Sequence, residues 1–234
     1  MWVKIFLVLL GIIVILTIYG VVPTIIYRIN NIRQKKNRES NNSKTIYLTF
    51  DDGIDSIYTI EMIKLLKKYE IRATFFVVAE FAENNLKVIE IMKENSHVIG
   101  LHSLKHKNEI LQTPIGIRKD FSEGIDIFKK LGVETKFFRP PWGHFSLSGI
   151  KEMKKRNLKI VLWDVIVQDW KGNTDATTIS NKLLNKTKGG DIVCLHDGRG
   201  KNNAPKRTME ALEIVIPIWK SQGYSFGTVE ELYE

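Results

Sequence analysis

The sequence predicts an α/β fold of about seven parallel strands with helical crossovers, preceded by one N-terminal transmembrane helix. Three observations carry this expectation. From Thr45 onward, short apolar runs alternate with segments of helical periodicity, and such alternation makes strands parallel and covers them with helices. An uncharged stretch of 23 residues, Ile5 to Tyr27, opens the chain. As a helix at ~1.5 Å per residue it spans ~34 Å, enough for a hydrocarbon core of ~30 Å. The 234 residues are 44% apolar and 26% charged, which suits one domain with a sizeable core. Both an open sheet and a closed or irregular barrel satisfy the pattern.

The run from Ile5 to Tyr27 is longer than the ~7–15 apolar residues of a cleavable signal core, and no small-residue cleavage site follows it. Residues 1–27 therefore read as a signal anchor, with a cleaved signal as the alternative. The absence of a polar face argues against a buried core helix. Residues 28–43 are basic, rich in Asn and without apolar periodicity. They are expected to form a polar linker, solvated or resting on anionic headgroups. Residues 44–234 make the folded domain. Only Lys4 precedes the span, whereas Arg28, Arg33, Lys35, Lys36, Arg38 and Lys44 follow it. That count places the domain in the cytoplasm, against the extracytoplasmic chemistry argued below. The whole chain is basic, at +9, which weakens the flank count.

Strands are expected at Thr45–Phe50, Ala73–Val78, His97–Leu101, Lys136–Phe138, Leu158–Trp163, Asp191–Leu195 and Tyr224–Phe226. Helical spacing appears in Ile60-Ile63-Leu66, Val88-Ile89-Met92, Ile117-Phe121-Ile125-Phe128 and Ile179-Leu183-Leu184. In parallel α/β folds, chemistry collects at the carboxyl ends of strands. The first strand ends in Asp51-Asp52-Gly53, adjacent carboxylates that call for a nearby cation. The third runs into His102 and His106, whose i, i+4 spacing on a helical turn would present two imidazoles to one metal. With a carboxylate from the first strand they make a His₂Asp set that leaves positions open for water and substrate. After the fourth strand, Arg139-Pro140-Pro141-Trp142-Gly143 forms a loop stiffened by its prolines. Gln168-Asp169-Trp170 follows the fifth strand, and His196 ends the sixth. An Asp hydrogen-bonded to that histidine makes it an acid–base group.

In this order, T-F-D-D-G, H-S-L-K-H, R-P-P-W-G, Q-D-W and L-H-D-G resemble the five motifs of NodB-type polysaccharide deacetylases, carbohydrate esterase family 4. The resemblance covers about residues 45–234. It implies an irregular (β/α) barrel, and a catalytic role for the domain at 44–234. It implies Asp51 as general base, Asp52, His102 and His106 as ligands of one divalent metal, and Arg139 as the group that holds Asp51. The Trp142 backbone N–H would serve the oxyanion, Asp169 would tune His196 as general acid, and Trp170 and Leu195 would shape the acetyl pocket. The expected metal is Zn²⁺, with Co²⁺, Ni²⁺ or Mn²⁺ also suited to such ligands. Two positions depart from the family pattern. Ile166 stands where an Asp is frequent three residues before Asp169, with Asp164 two residues earlier. Leu101 stands where Asn often precedes His102.

The function expected is hydrolysis of N-acetyl groups on an extracytoplasmic amino-sugar polymer, peptidoglycan N-acetylglucosamine first, by an enzyme held at the cell membrane. Its rivals are an amidase or formamidase, an O-acetyl esterase, and a glycan-binding relative without turnover. One cysteine, Cys194, excludes an internal disulfide and a Cys-based zinc site, and its apolar run makes it a buried core residue. The net charge favours an anionic wall or membrane partner. Nucleic acid is not expected, since no basic helix or aromatic–basic interleaving supports it. His97 is expected to be structural, and His144 is a candidate for substrate contact. The sequence sets no oligomeric state.

Overall fold

The computed structural model of the chain describes residues 1–40 and 44–233. Helix α1 (Trp2–Leu16) and helix α2 (Val22–Ser40) are joined through a π-helical turn, Thr17–Val21. The turn has a local cause. Pro23 has no N–H to offer the carbonyl four residues back, and the Val22 N–H bonds Thr17 O, in the wider i→i+5 register. Among the described residues, Trp2–Glu39 is the one helix long and apolar enough to cross a membrane, with mean hydropathy 3.0 over its best window.

The domain is built on strands β1 (Thr45–Asp51), β2 (Thr74–Val77), β3 (Val98–Leu101), β4 (Phe137–Phe138), β5 (Lys159–Ile160), β6 (Val165–Ile166), β7 (Ile192–His196) and β8 (Ser225–Gly227). Helices α3 (Tyr58–Lys68), α4 (Ala79–Glu83), α5 (Leu86–Glu94), α6 (Pro114–Lys130), α7 (Leu147–Lys155), α8 (Ala176–Lys186) and α9 (Ala204–Ser221) connect or flank them. All pairings are parallel, in the order β5-β4-β3-β2-β1-β7-β6, with β8 added beside the start of β1. The sheet curls into an open half-barrel. β1 is an interior strand buried on both faces, through Ile46, Leu48 and Phe50 on one and Tyr47, Thr49 and Asp51 on the other. Continuous apolar runs are what a doubly covered parallel strand requires.

Six of the seven expected strands are present within one residue at each end, and the Leu158–Trp163 strand is reduced to β5. The eighth strand, β6, lies beyond the Leu158–Trp163 run and was not anticipated, because a strand of two residues carries no periodicity. Asp169 consequently follows β6, not the fifth strand. The residues facing the core in α3, α5, α6 and α8 are those whose spacing predicted the helices.

The expectation of a solvated linker needs correction. Residues 28–40 continue α2, and one face of that helix docks on the domain, while residues 41–43 of the expected linker lie outside the described residues. Thr24 Oγ1 accepts from the Phe145 N–H (2.9 Å), and Tyr27 stacks on Phe145 at 4.6 Å. Arg28 donates to Trp142 O (3.0 Å), and Asn31 to Trp163 O (3.1 Å). Lys35 pairs with Asp191 (2.7 Å), and Arg38 with Asp164 (2.6 Å) and Gly190 O (2.8 Å). The docking stripe is polar and basic, so a search for apolar periodicity cannot find it.

Candidate active site

Asp51, the last residue of β1, is buried, and its Oδ1 accepts from Arg139 Nη1 at 2.6 Å. Arg139 follows β4 and is wholly buried. It also donates to Thr49 Oγ1 (2.8 Å), Val161 O (3.0 Å) and Leu162 O (3.4 Å), and its guanidinium lies 4.1 Å over the Phe76 ring. A buried guanidinium is tolerable when paired and hydrogen-bonded in this way. Thr49, not singled out by sequence reasoning, orients it.

Asp52, the next residue, turns away from the strand at φ +70°. Its Oδ1 lies 2.9 Å from His106 Nε2 and 3.3 Å from His102 Nε2. One donor atom from each of the three residues falls within 4.8 Å of the others. His102 Nδ1 is 2.7 Å from Arg139 O. A carbonyl only accepts, so Nδ1 carries the proton and a neutral His102 presents a bare lone pair on Nε2. Asp52 Oδ1 is buried, and among the described residues no hydrogen bond satisfies it. Burial pushes the Asp52 carboxyl up, but positive charge on His102 and His106 outweighs it and holds it well below the usual carboxylate range; with the imidazoles neutral, a bound cation would take that part. Lone pairs of a carboxylate and an imidazole aimed at one point repel each other unless a cation lies between them. The three side chains therefore fit a divalent cation, and Asp51 Oδ2 is 3.9 Å from His102 Nε2, beside the same point.

The sequence grouped the histidines correctly but for the wrong local reason. The segment from His102 to Asn108 is not helical, and Ser103 (φ +67°) and His106 (φ +53°) are left-handed. Ser103 Oγ accepts from the His106 N–H (2.8 Å), and Asp120 of α6 accepts from the Leu104 N–H (3.0 Å). These bonds fold the loop so that the two rings sit 5.1 Å apart.

His196, ending β7, faces this group across the cleft. Its Nδ1 is 3.0 Å from Asp169 Oδ1, while Asp169 Oδ2 accepts from the His196 N–H (2.8 Å) and from Thr208 Oγ1 (3.0 Å). Nδ1–H therefore points at Asp169. Burial disfavours the imidazolium, but the Asp169 carboxylate overrides it and raises His196 to about 9. Thr208, from the interior of α9, was not anticipated.

The cleft, about 350 Å³, is walled by Trp142, Trp163 and Trp170, with His144, Ile166 and Cys194 completing it. Trp142 lies 4.5 Å from the His106 ring, and Trp170 meets His196 edge-on at 4.8 Å. Leu195 does not line the cleft; it is fully buried in the core between sheet and helices. Side chains alternate along a strand, so the residue sharing the face of His196 is Cys194, two positions back, and Leu195 points the other way. Cys194 is buried, as expected, but its Sγ is 3.4 Å from Asp51 Oδ2. Burial drives its thiol well above the ordinary range, so it stays protonated and is a poor metal ligand. His144 hydrogen-bonds Asn108 (2.9 Å) at the cleft edge. His97 accepts from the Ala73 N–H (3.1 Å) and burial lowers it to about 4, as a neutral structural group. Asp164 binds Arg38 and the Ile192 N–H outside the cleft, so it does not replace the carboxylate missing at Ile166. Leu101 is in the core.

Asp197 was given no role and holds the two central loops together. It accepts from Thr59 Oγ1 (2.5 Å), and burial raises its carboxyl to about 7. Gly53 packs against it so closely that a Cβ would lie 2.6 Å from Asp197 Oδ2. The glycine of D-D-G thus brings the β1 and β7 loops into contact.

A parallel half-barrel with its polar groups at the carboxyl ends of its strands belongs with the α/β barrel enzymes that work at that end. Comparison with known proteins makes the class specific: the chain belongs to the polysaccharide deacetylases, carbohydrate esterase family 4, whose family model, described as polysaccharide deacetylase, matches residues 38–161. It is 35% identical over 194 residues to a peptidoglycan-N-acetylglucosamine deacetylase of Bacillus cereus, covering 82% of this chain and 89% of that one. It is 33% identical to the peptidoglycan-N-acetylmuramic acid deacetylase PdaA of Bacillus subtilis, covering 81% and 71%. Among solved structures, a family 4 acetyl xylan esterase from Clostridium thermocellum in complex with a cobalt ion superposes with TM-score 0.73 at 34% identity, covering 81% and 90%.

Proposed function

We propose that the chain is a metal-dependent N-deacetylase of an extracytoplasmic amino-sugar polymer, peptidoglycan N-acetylglucosamine first. The observation that carries this is the convergence of Asp52, His102 and His106 on one point, flanked by the Asp51–Arg139 pair on one side and the His196–Asp169 pair on the other. Zn²⁺ is the expected ion; the cobalt in the acetyl xylan esterase structure agrees with a His/Asp set that accepts several metals.

A divalent cation at such a site polarises a carbonyl and makes water acidic, down to a pKa of about 7. The protein's own groups do the rest. Asp51, fixed by Arg139, takes the proton of the attacking water. The Trp142 N–H donates to the oxygen that gains charge as the carbonyl carbon becomes tetrahedral. His196 Nε2–H protonates the departing nitrogen as the C–N bond breaks, because an amide anion is too poor a leaving group to depart unaided. Acetate and a free amine result. Asp169 holds His196 in the tautomer and charge this requires. Cys194 and Trp170 supply small and flat apolar surfaces for the acetyl methyl, and the tryptophans supply faces for the sugar rings.

The N-terminal helix serves as a membrane anchor with the domain outside. Arg28, Lys35 and Arg38 bind the domain, which gives the basic flank a use other than retention in the cytoplasm.

Acetate release by the full chain from a panel of acetylated glycans, with and without chelator, tests the reading. N-acetylglucosamine oligomers and peptidoglycan should release acetate in a chelator-sensitive way. Release from acetylxylan alone would transfer the assignment to an O-acetyl esterase. His196→Ala should keep the metal and lose turnover by about 10²–10⁴-fold, the usual contribution of a general acid; near-normal turnover would refute the assignment. The pH profile gives a separate check. His196 is raised above its ordinary value, so its protonated form is present below about 9 and is lost as pH rises through it. Asp169→Asn should therefore move the alkaline limb of kcat down by about two pH units, toward the ordinary imidazole value of ~6.5. An unmoved limb would mean that another group sets it.

A further inference from the structure

The anchor helix and the cleft share one end of the domain. Thr24 and Arg28 meet Phe145 and Trp142, which follow β4 at the carboxyl ends of the strands. Lys35 and Arg38 reach Asp191 and Gly190, which precede β7 at the opposite end. α2 thus runs down the flank of the domain from the cleft end, and α1 projects beyond that end. On the anchor reading, on which this inference rests, the bilayer faces the mouth of the cleft.

Length sets how near. α1 has 15 residues and none is buried. At ~1.5 Å per residue it covers ~22 Å, short of the ~30 Å core that calls for ~20 residues. The missing part of the span comes from the next turns, where Ile18, Val21 and Ile25 still present an exposed apolar face. The opposite face of those turns is covered by the domain. Gly20 packs on Ile110 so closely that a Cβ would lie 2.6 Å from Ile110 Cγ1, and Thr24 is buried. The domain surface around Ile110 and Phe145 therefore sits at the depth of the outer acyl chains and headgroups.

That surface exposes three large apolar side chains, Leu111 (79%), Ile115 (82%) and Leu147 (51%). The segments of Leu111 and Leu147 are tied together by Glu109, whose buried carboxyl accepts from the Ser146 N–H (3.1 Å) and Oγ (3.0 Å), and Ile115 follows Leu111 at the start of α6. Single exposed apolar residues need no explanation. Three on linked segments, continuous with the apolar face of an anchor, form a surface suited to the bilayer interface, where apolar groups sink ~5–10 Å.

We propose that Leu111, Ile115 and Leu147 insert into the membrane interface beside the anchor helix and seat the cleft against the bilayer, so that the acetylated amino sugar it receives is one carried at the membrane surface. Trp142 links the two settings: its carbonyl accepts from Arg28 of the anchor helix, and its ring packs on His106.

The test uses the full chain in vesicles of phosphatidylglycerol and phosphatidylcholine, with quencher-bearing lipids. Fluorophores go on Leu111→Cys, Ile115→Cys, Leu147→Cys, Leu9→Cys in α1, and Gln222→Cys before β8 at the far end; Cys194 is buried and stays unlabelled. Quenching at Leu9 and at the three rim positions, but not at Gln222, is expected. Quenching at Leu9 with none at the rim would overturn the seating and leave the anchor standing; no quenching at Leu9 would remove the anchor reading, and the seating with it. Replacing all three rim residues by Ser should slow acetate release from an N-acetylglucosaminyl glycolipid in the vesicles by about tenfold, as lost interfacial burial, while leaving the rate on a soluble N-acetylglucosamine oligomer unchanged. Equal rates on the glycolipid before and after would overturn the substrate conclusion.

Discussion

His106→Ala is expected to remove the cation and the activity together. The side chain supplies one of three donor atoms that meet within 4.8 Å, and the remaining pair, Asp52 and His102, is too few to hold a labile ion against water. Asp52 Oδ1, which has no hydrogen-bond donor among the described residues, is then left beside the bare Nε2 of His102. Loss of the carbonyl polarisation and water activation that a cation supplies is worth several kcal/mol. At about 1.4 kcal/mol per tenfold in rate, turnover should fall by about a thousandfold or more. Metal analysis of the purified variant should find well under one equivalent. Asp52→Ala should behave the same way. Either variant with a full equivalent of metal and normal acetate release would remove the residue from the ligand set.

Arg139→Met is expected to damage stability and catalysis at once. It leaves Asp51 buried without its counter-charge and leaves Thr49 Oγ1 and two backbone carbonyls without their donor. Breaking one side of a buried, hydrogen-bonded ion pair typically costs ~3–5 kcal/mol. A comparable loss should appear as a lower denaturant midpoint. Activity should fall by about two orders of magnitude or more in the fraction that folds, because the base is no longer fixed. Metal binding should persist, since His102 and His106 are held by other contacts as well. A variant that unfolds normally and turns over normally would show that the pair serves neither purpose.

The fold was legible where strands and helices were long. β1, β7, α3 and α6 carry apolar patterns several residues deep, and their ends fall close to where the pattern stops. β5 and β6, two residues each, carry no periodicity, so the first was expected too long and the second was missed. The polar groups at the strand ends were legible because parallel topology sends them to one place. What escaped were contacts made from a distance. Thr49 on Arg139, Thr208 on Asp169 and Thr59 on Asp197 are ordinary hydroxyls in the sequence, joined only by the fold. The exchange of Leu195 for Cys194 on the cleft wall was legible in principle, since side chains on a strand alternate and His196 fixes the parity. The docking of α2 was not, because beyond Thr24 and Tyr27 its interface is made of Arg, Lys and Asn, which in a sequence look like solvent-facing residues.

The most direct measurement is a zinc titration of the chelated full chain, with acetate release from an N-acetylglucosamine oligomer and X-ray absorption at the metal followed together. Activity should return linearly and saturate at one equivalent, with two imidazole nitrogens and carboxylate oxygen around the ion. Full activity in the chelated protein, or an ion bound without imidazole, would contradict the account.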